Sequence, residues 1–176
     1  MKTNWSIDPS HSEITFKVKH LVISTVTGSF TKYDVKAETD GDDFTSARIF
    51  FSADVNSITT GNEQRDGHLK SPDFFDAETH PLVTFVSNTI TKSGDDQFNM
   101  SGDLTMRGVT KAIDLQVEFG GTMKDPWGNL RAGFEISGKI NRKEFGLHWS
   151  AATETGGLVV SDEVKLLCHV ELIKGA

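Results

Sequence analysis

The chain has 176 residues, 36% of them apolar and 24% charged, and a net charge of −7. This length suits one domain, 1–176, with a sizeable core, and the single cysteine, Cys168, excludes a disulfide framework. The acidic balance argues against a nucleic-acid partner and against docking on an anionic membrane by bulk charge, while leaving room for a local basic patch.

The opening residues, MKTNWSIDPS, contain no apolar stretch of signal-peptide length. That predicts a cytoplasmic protein, or a periplasmic one if a leader has been removed. No run approaches the length of a membrane helix, so stable membrane insertion is not expected.

Period-two patterning then dominates. Over 11–20, Ile14, Phe16, Val18 and His20 share one face, with Glu13, Thr15, Lys17 and Lys19 on the other. Segment 30–37 reads as a further strand. Over 47–55, Ala47, Ile49, Phe51, Ala53 and Val55 alternate with Arg48, Phe50, Ser52 and Asp54. Residues 61–76, GNEQRDGHLKSPDFFD, break the pattern. Their first part, 62–71, predicts a short helix, and Phe74-Phe75 returns to apolar character.

Alternation resumes over 82–90 and 98–106, then 113–119, 130–140 and 164–172. A second helical turn is expected near 141–145. Asp40-Gly41-Asp42, Ser93-Gly94-Asp95, Gly120-Gly121 and 125–129 carry turn chemistry. Such short polar connections favour antiparallel neighbours. The fold class expected is all-β: an extended antiparallel barrel of about eight strands with a helical insertion. Gly28, Gly102, Gly133 and Gly138 fall inside strand patterns, where glycine marks a bulge, a bend or a close approach.

An ordered set of motifs adds to this reading. Trp5-Ser6-Ile7-Asp8-Pro9-Ser10-His11-Ser12 is followed by Val18-Lys19-His20-Leu21, Gly28-Ser29-Phe30 and Ser57-Ile58-Thr59-Thr60. Then come RDGHLKSPDFFD at 65–76, GDLTMRGVTK at 102–111 and NRKEFG at 141–146. In this order and spacing the chain resembles the YceI-like family from about Trp5 to Leu172. The resemblance implies a lipocalin-like barrel that binds a polyisoprenoid or similar amphiphile, and it implies a homodimer. No cofactor is expected.

A polyisoprenoid needs an apolar sleeve for its tail and donors for its head. Residues pointing into the barrel supply the sleeve: Phe16, Val18, Phe30, Ile49, Phe51, Phe85, Met100, Leu115, Val117, Phe134, Ile136 and Leu166. The same residues could instead pack solidly against each other. His20, Arg65, His68, Lys70 and Arg142 are candidates for a head-group phosphate or carbonyl. Two of them have an ordinary alternative, a satisfied core histidine for His20 and a surface ion pair for Arg142.

Competing chemistries are weaker. Asp8, His11 and Ser12, or Asp66, His68 and Ser71, supply triad residue types without a nucleophile elbow, so no catalytic residue is assigned. The six histidines show no metal-ligand spacing. Only a fold-assembled group such as His11, His20 and His148 would bind an ion, and no metal site is assigned. The function expected is sequestration or carriage of an isoprenoid phosphate or quinone. Alternatives are an enzyme acting on that lipid, a binder of another apolar ligand such as a fatty acid or fatty amide, or a module that stacks a sugar or a protein partner on Trp127 or Trp149.

Overall fold

The computed structural model describes residues 1–149 and 160–175. Its strands are β1 (Lys2–Ile7), β2 (Glu13–His20), β3 (Ser24–Phe30), β4 (Tyr33–Asp40), β5 (Asp43–Asp54) and β6 (Ile58–Thr59). After helix α1 (Glu63–Lys70) come β7 (Leu82–Gly94), β8 (Gln97–Met106), β9 (Val109–Lys124), β10 (Leu130–Asn141) and β11 (Val160–Lys174).

Eight strands close into an antiparallel barrel in the order β1-β4-β5-β7-β8-β9-β10-β11, with β11 returning to β1. The first two strands lie end to end along β11. Its C-terminal part pairs with β1, Ile7 opposite Leu172, and its earlier part pairs with β2, Phe16 opposite Leu166. β3 and β6 extend the wall beyond β2. The alternation assigns the faces: inward Ile14, Phe85, Leu115 and Val170 are buried, while their outward neighbours are exposed or half-exposed.

The strand limits differ from the sequence expectation in three places. Segment 30–37 is not one strand; Phe30 ends β3, and Tyr33 begins β4 after a two-residue turn. β1 appears where no strand was expected, and β3 was marked only by Gly28 and Phe30, because each has only two or three inward apolar positions among polar neighbours. Gly120-Gly121 is no hairpin but an irregularity inside β9, where Gly121 faces Gly133 and Phe119 faces Phe134. The extra residue bends the wall there.

The helical expectations hold. Asn62 caps α1, its Oδ1 accepting from the Arg65 amide at 3.0 Å, and Ser71 ends it. A 3₁₀ turn spans Arg142–Phe145 and ends on Gly146 at φ 82°.

Candidate functional site: a blind apolar cavity

The barrel interior is hollow. A cavity of ≈390 Å³ runs along it, within the range of about 300–1,000 Å³ usual for small-molecule sites. Its wall is made almost wholly of aliphatic and aromatic side chains. All twelve residues expected to face inward, from Phe16 to Leu166, lie on this wall. Sequence reasoning passed over Ile14, Val26, Phe44 and Val164, which also line it.

One end of the bore is stopped. Phe44 of β5 meets Phe134 of β10 at 5.0 Å between ring centroids, T-shaped. These two strands are four steps apart in the eight-strand ring whichever way it is counted, so the contact spans the diameter. Phe119 packs on both, at 5.4 Å from each, and Trp5 closes over Phe44 at 5.3 Å. The indole Nε1 donates to Thr39 Oγ1 at 2.9 Å, which satisfies a buried donor and fixes the plug.

The opposite end carries α1, the β2–β3 hairpin, the β8–β9 hairpin and the 3₁₀ turn that follows β10. Here the wall becomes polar. Arg65, His68, His20 and Arg142 all reach the cavity, whereas Lys70 is not on its wall. Arg65 is exposed and held by Thr60: Nε donates to Thr60 Oγ1 at 2.7 Å and Nη2 to its carbonyl at 2.8 Å. Thr60 in turn donates from its amide and hydroxyl to Asp66 Oδ1. Asp66 therefore positions Arg65 through Thr60.

His68 stands edge-on to Phe74 and Trp149, with centroids at 5.0 and 4.8 Å, and its Nε2 lies 2.8 Å from Asp73 Oδ2. Arg107, at the β8–β9 turn, donates from Nη1 to the carbonyls of Pro72 and Phe74 at 2.5 and 2.6 Å. This ties the aromatic segment after α1 to the barrel. The sequence signal for this rim was the Phe74-Phe75 pair; Trp149 stood out only as an aromatic that could stack on another ligand or partner, not as the third member of this cluster.

Arg142 is only 3% exposed. Nε donates to the Ser161 carbonyl at 2.9 Å and Nη1 to those of Leu147 and Trp149 at 2.6 and 2.7 Å. Burial lowers its pKa from the usual arginine value, and the Asp162 carboxylate partly offsets this. Its donors mostly hold backbone, and Nη2 also lies 3.8 Å from Asp162 Oδ1, so the ion pair it makes is that of a buried arginine rather than a surface one.

The two triads do not form among the described residues. Ser71 Oγ donates to the His68 carbonyl at 2.6 Å rather than to its ring, and Ser12 Oγ accepts from the Glu171 amide at 3.0 Å. His11 and His20 flank opposite ends of β2, roughly 25 Å apart along an extended strand, and cannot share a metal. His11 instead joins Asp8 and Glu171, where Arg131 already neutralises both carboxylates, with Nη1 at 2.6 and 2.9 Å.

The sequence profile of the YceI-like domain matches residues 5–172. The chain belongs to the YceI-like family. A UPF0312 protein of Staphylococcus aureus strain USA300 is 38% identical over 170 residues, covering 96% of each chain. The YceI protein of Campylobacter jejuni superposes with a TM-score of 0.78 at 34% identity, over 90% of each chain. BcnA of Burkholderia cenocepacia shares the fold, with a TM-score of 0.82 at 24% identity, over 94% of this chain and 98% of that one. A polyisoprenoid binding domain from Saccharophagus degradans, implicated in plant cell wall breakdown, shares it too. There the TM-score is 0.68 at 17% identity, over 97% and 98%. This YceI-like chain therefore has the lipocalin-like, eight-stranded barrel that its motifs implied. Among the described residues no helix is long and apolar enough to cross a membrane.

Proposed function

We propose that this YceI-like protein binds a long amphiphilic lipid in its barrel and sequesters or carries it, without chemistry on the lipid. A polyisoprenoid bearing a phosphate or quinone head is the ligand that fits best. The observation behind this reading is the hollow bore: an apolar wall, stopped at one end, with Arg65, His68 and His20 at the other. A tail inside it gains about 25 cal/mol for each Å² removed from water. A head at the rim meets Arg65, whose fork suits two oxygens.

The shared fold with a polyisoprenoid binding domain supports this choice of ligand. Ser71, turned to a backbone carbonyl, favours carriage over hydrolysis. By the same family resemblance we propose a homodimer.

Native mass spectrometry of gently purified protein tests the reading. A co-purifying apolar mass lost on organic extraction is expected. Conversion of that lipid by the protein, abolished in Arg65→Ala or His68→Ala, would replace the carrier with an enzyme. A bound fatty acid or fatty amide would change the ligand but keep the cavity.

A further inference from the structure

The β2–β3 hairpin turns through Leu21, Val22 and Ile23. Val22 and Ile23 are 73% and 85% exposed. Leu21 and Val22 hold φ angles of 53° and 64°, left-handed backbone that glycine, asparagine or aspartate adopts at lower cost. A polar turn would therefore make the better hairpin. The fold gives no reason for three apolar residues in water.

Their position does. Val18, His20 and Val26, the inward residues just behind the turn, line the cavity, so the tip belongs to its rim. The outer face behind the tip is basic. Lys17 of β2 lies opposite Lys165 of β11, which lies opposite Lys139 of β10, and Lys19 sits two residues further out on β2. All four are exposed. Like charges paired across strands destabilise a sheet, so this row too is a cost to the fold. Lys139 has Glu163 at 3.5 Å. Lys17, Lys19 and Lys165 have no carboxylate within ion-pair distance among the described residues. The patch opposes the chain's net charge of −7.

We propose that the β2–β3 tip docks on an anionic phospholipid surface. The apolar tip enters the interface, and the lysines behind it meet lipid phosphates. The cavity mouth then opens onto the bilayer, and a tail passes between acyl phase and barrel without crossing water. Three tip residues suit shallow insertion; they cannot cover the roughly 1,000 Å² that a stable protein interface needs. The proposal rests on the lipid-binding reading above and adds the donor or acceptor surface.

Flotation with vesicles tests it, using phosphatidylcholine alone or mixed with phosphatidylglycerol. The wild-type protein is expected to float with the mixed vesicles only, and less as salt rises. Ile23→Asp should abolish flotation. Lys17→Ala and Lys165→Ala should each weaken it about fivefold. The two lysine variants should load a dansyl-labelled polyprenyl phosphate from detergent as the wild type does, yet take it up slowly from the mixed vesicles.

Wild-type protein that ignores anionic vesicles, or an Ile23→Asp variant that floats normally, overturns the proposal. If Ile23→Asp instead splits a dimer by light scattering while the wild type stays off vesicles, the tip is a subunit contact. If no protein loads the probe from detergent, the carrier reading fails, and flotation still decides the docking question.

Discussion

Arg142 stands over Phe74, its guanidinium carbon 5.8 Å from the ring centroid. The same group reaches four backbone carbonyls around the connection into β11, those of Leu147, Trp149, Val160 and Ser161. It thus joins the aromatic rim to the last barrel strand. Truncation to Arg142→Ala would leave the buried Leu147 carbonyl and the part-buried carbonyls of Trp149, Val160 and Ser161 without this donor, and a loss of about 2–4 kcal/mol is expected. Arg142→Lys should recover little, since a single ammonium cannot reproduce the fork. Urea unfolding midpoints check both. A head-group role would show instead as altered lipid selectivity at unchanged stability.

Phe51 faces the bore from β5, opposite Phe85 of β7. A carboxylate here would sit in an apolar tube without a partner. Phe51→Glu is expected to abolish the co-purifying lipid while circular dichroism still reports a β-barrel. Normal loading of a folded variant would mean that the tail lies elsewhere.

At the rim, Arg65 and Lys70 separate. Arg65 lines the cavity, and Lys70 does not. Losing a charge-assisted hydrogen bond costs about 1.5–3 kcal/mol, roughly ten- to a hundredfold in affinity. Arg65→Ala should weaken an isoprenoid phosphate by that much and a neutral isoprenol far less. Lys70→Ala should change either one little. Fluorescence titration with the two lipids measures the difference.

Asp8 accepts from Ser10, His11 and Arg131, and these bonds hold its carboxyl well below the ordinary 3.8. A depressed folded pKa stabilises the protein fully above the unfolded value. That contribution is lost as pH falls below about 3.8 toward the lower folded value. Stability should therefore drop on acidification through this window, and Asp8→Asn should flatten that part of the profile. Urea midpoints between about pH 5 and pH 2 provide the test.

Burial pushes the Cys168 thiol up to about 11, while its side chain faces the bore. Only the thiolate attacks disulfide reagents. Near neutral pH the native protein should react two to three powers of ten more slowly than the unfolded chain, by about the ratio of thiolate fractions. A stopped-flow comparison in buffer and in urea reads this directly.

What could be read from the residues was the long strands. Ile49, Phe51, Ala53 and Val55 alternate without interruption, as do Val164 to Leu172, and a half-buried strand leaves no freedom in that pattern. β3 was hidden because its inward positions are Val26, Gly28 and Phe30, one of them bare. Gly28 is bare for a reason visible only after pairing: Phe16 lies opposite, and any Cβ there would strike its ring. Gly120-Gly121 looked like a turn because a bulge uses the same residue as a hairpin.

The rim was only partly legible. Arg65 and His68 stand out in a polar helix without any knowledge of folding. Arg142 stood out as a head-group candidate or a surface cation, but its burial among backbone carbonyls was hidden, because burial is a property of what surrounds a residue. Trp149 gains its place from Phe74, some seventy-five positions earlier in the chain.

The Phe44–Phe134 stopper makes the barrel a cul-de-sac. For the lipid carriage proposed above, this means that cargo would enter tail first and leave head first by the same door, with no through-traffic. Donor and recipient would then take turns at a single threshold, and whatever holds the head there would set how long each visit lasts.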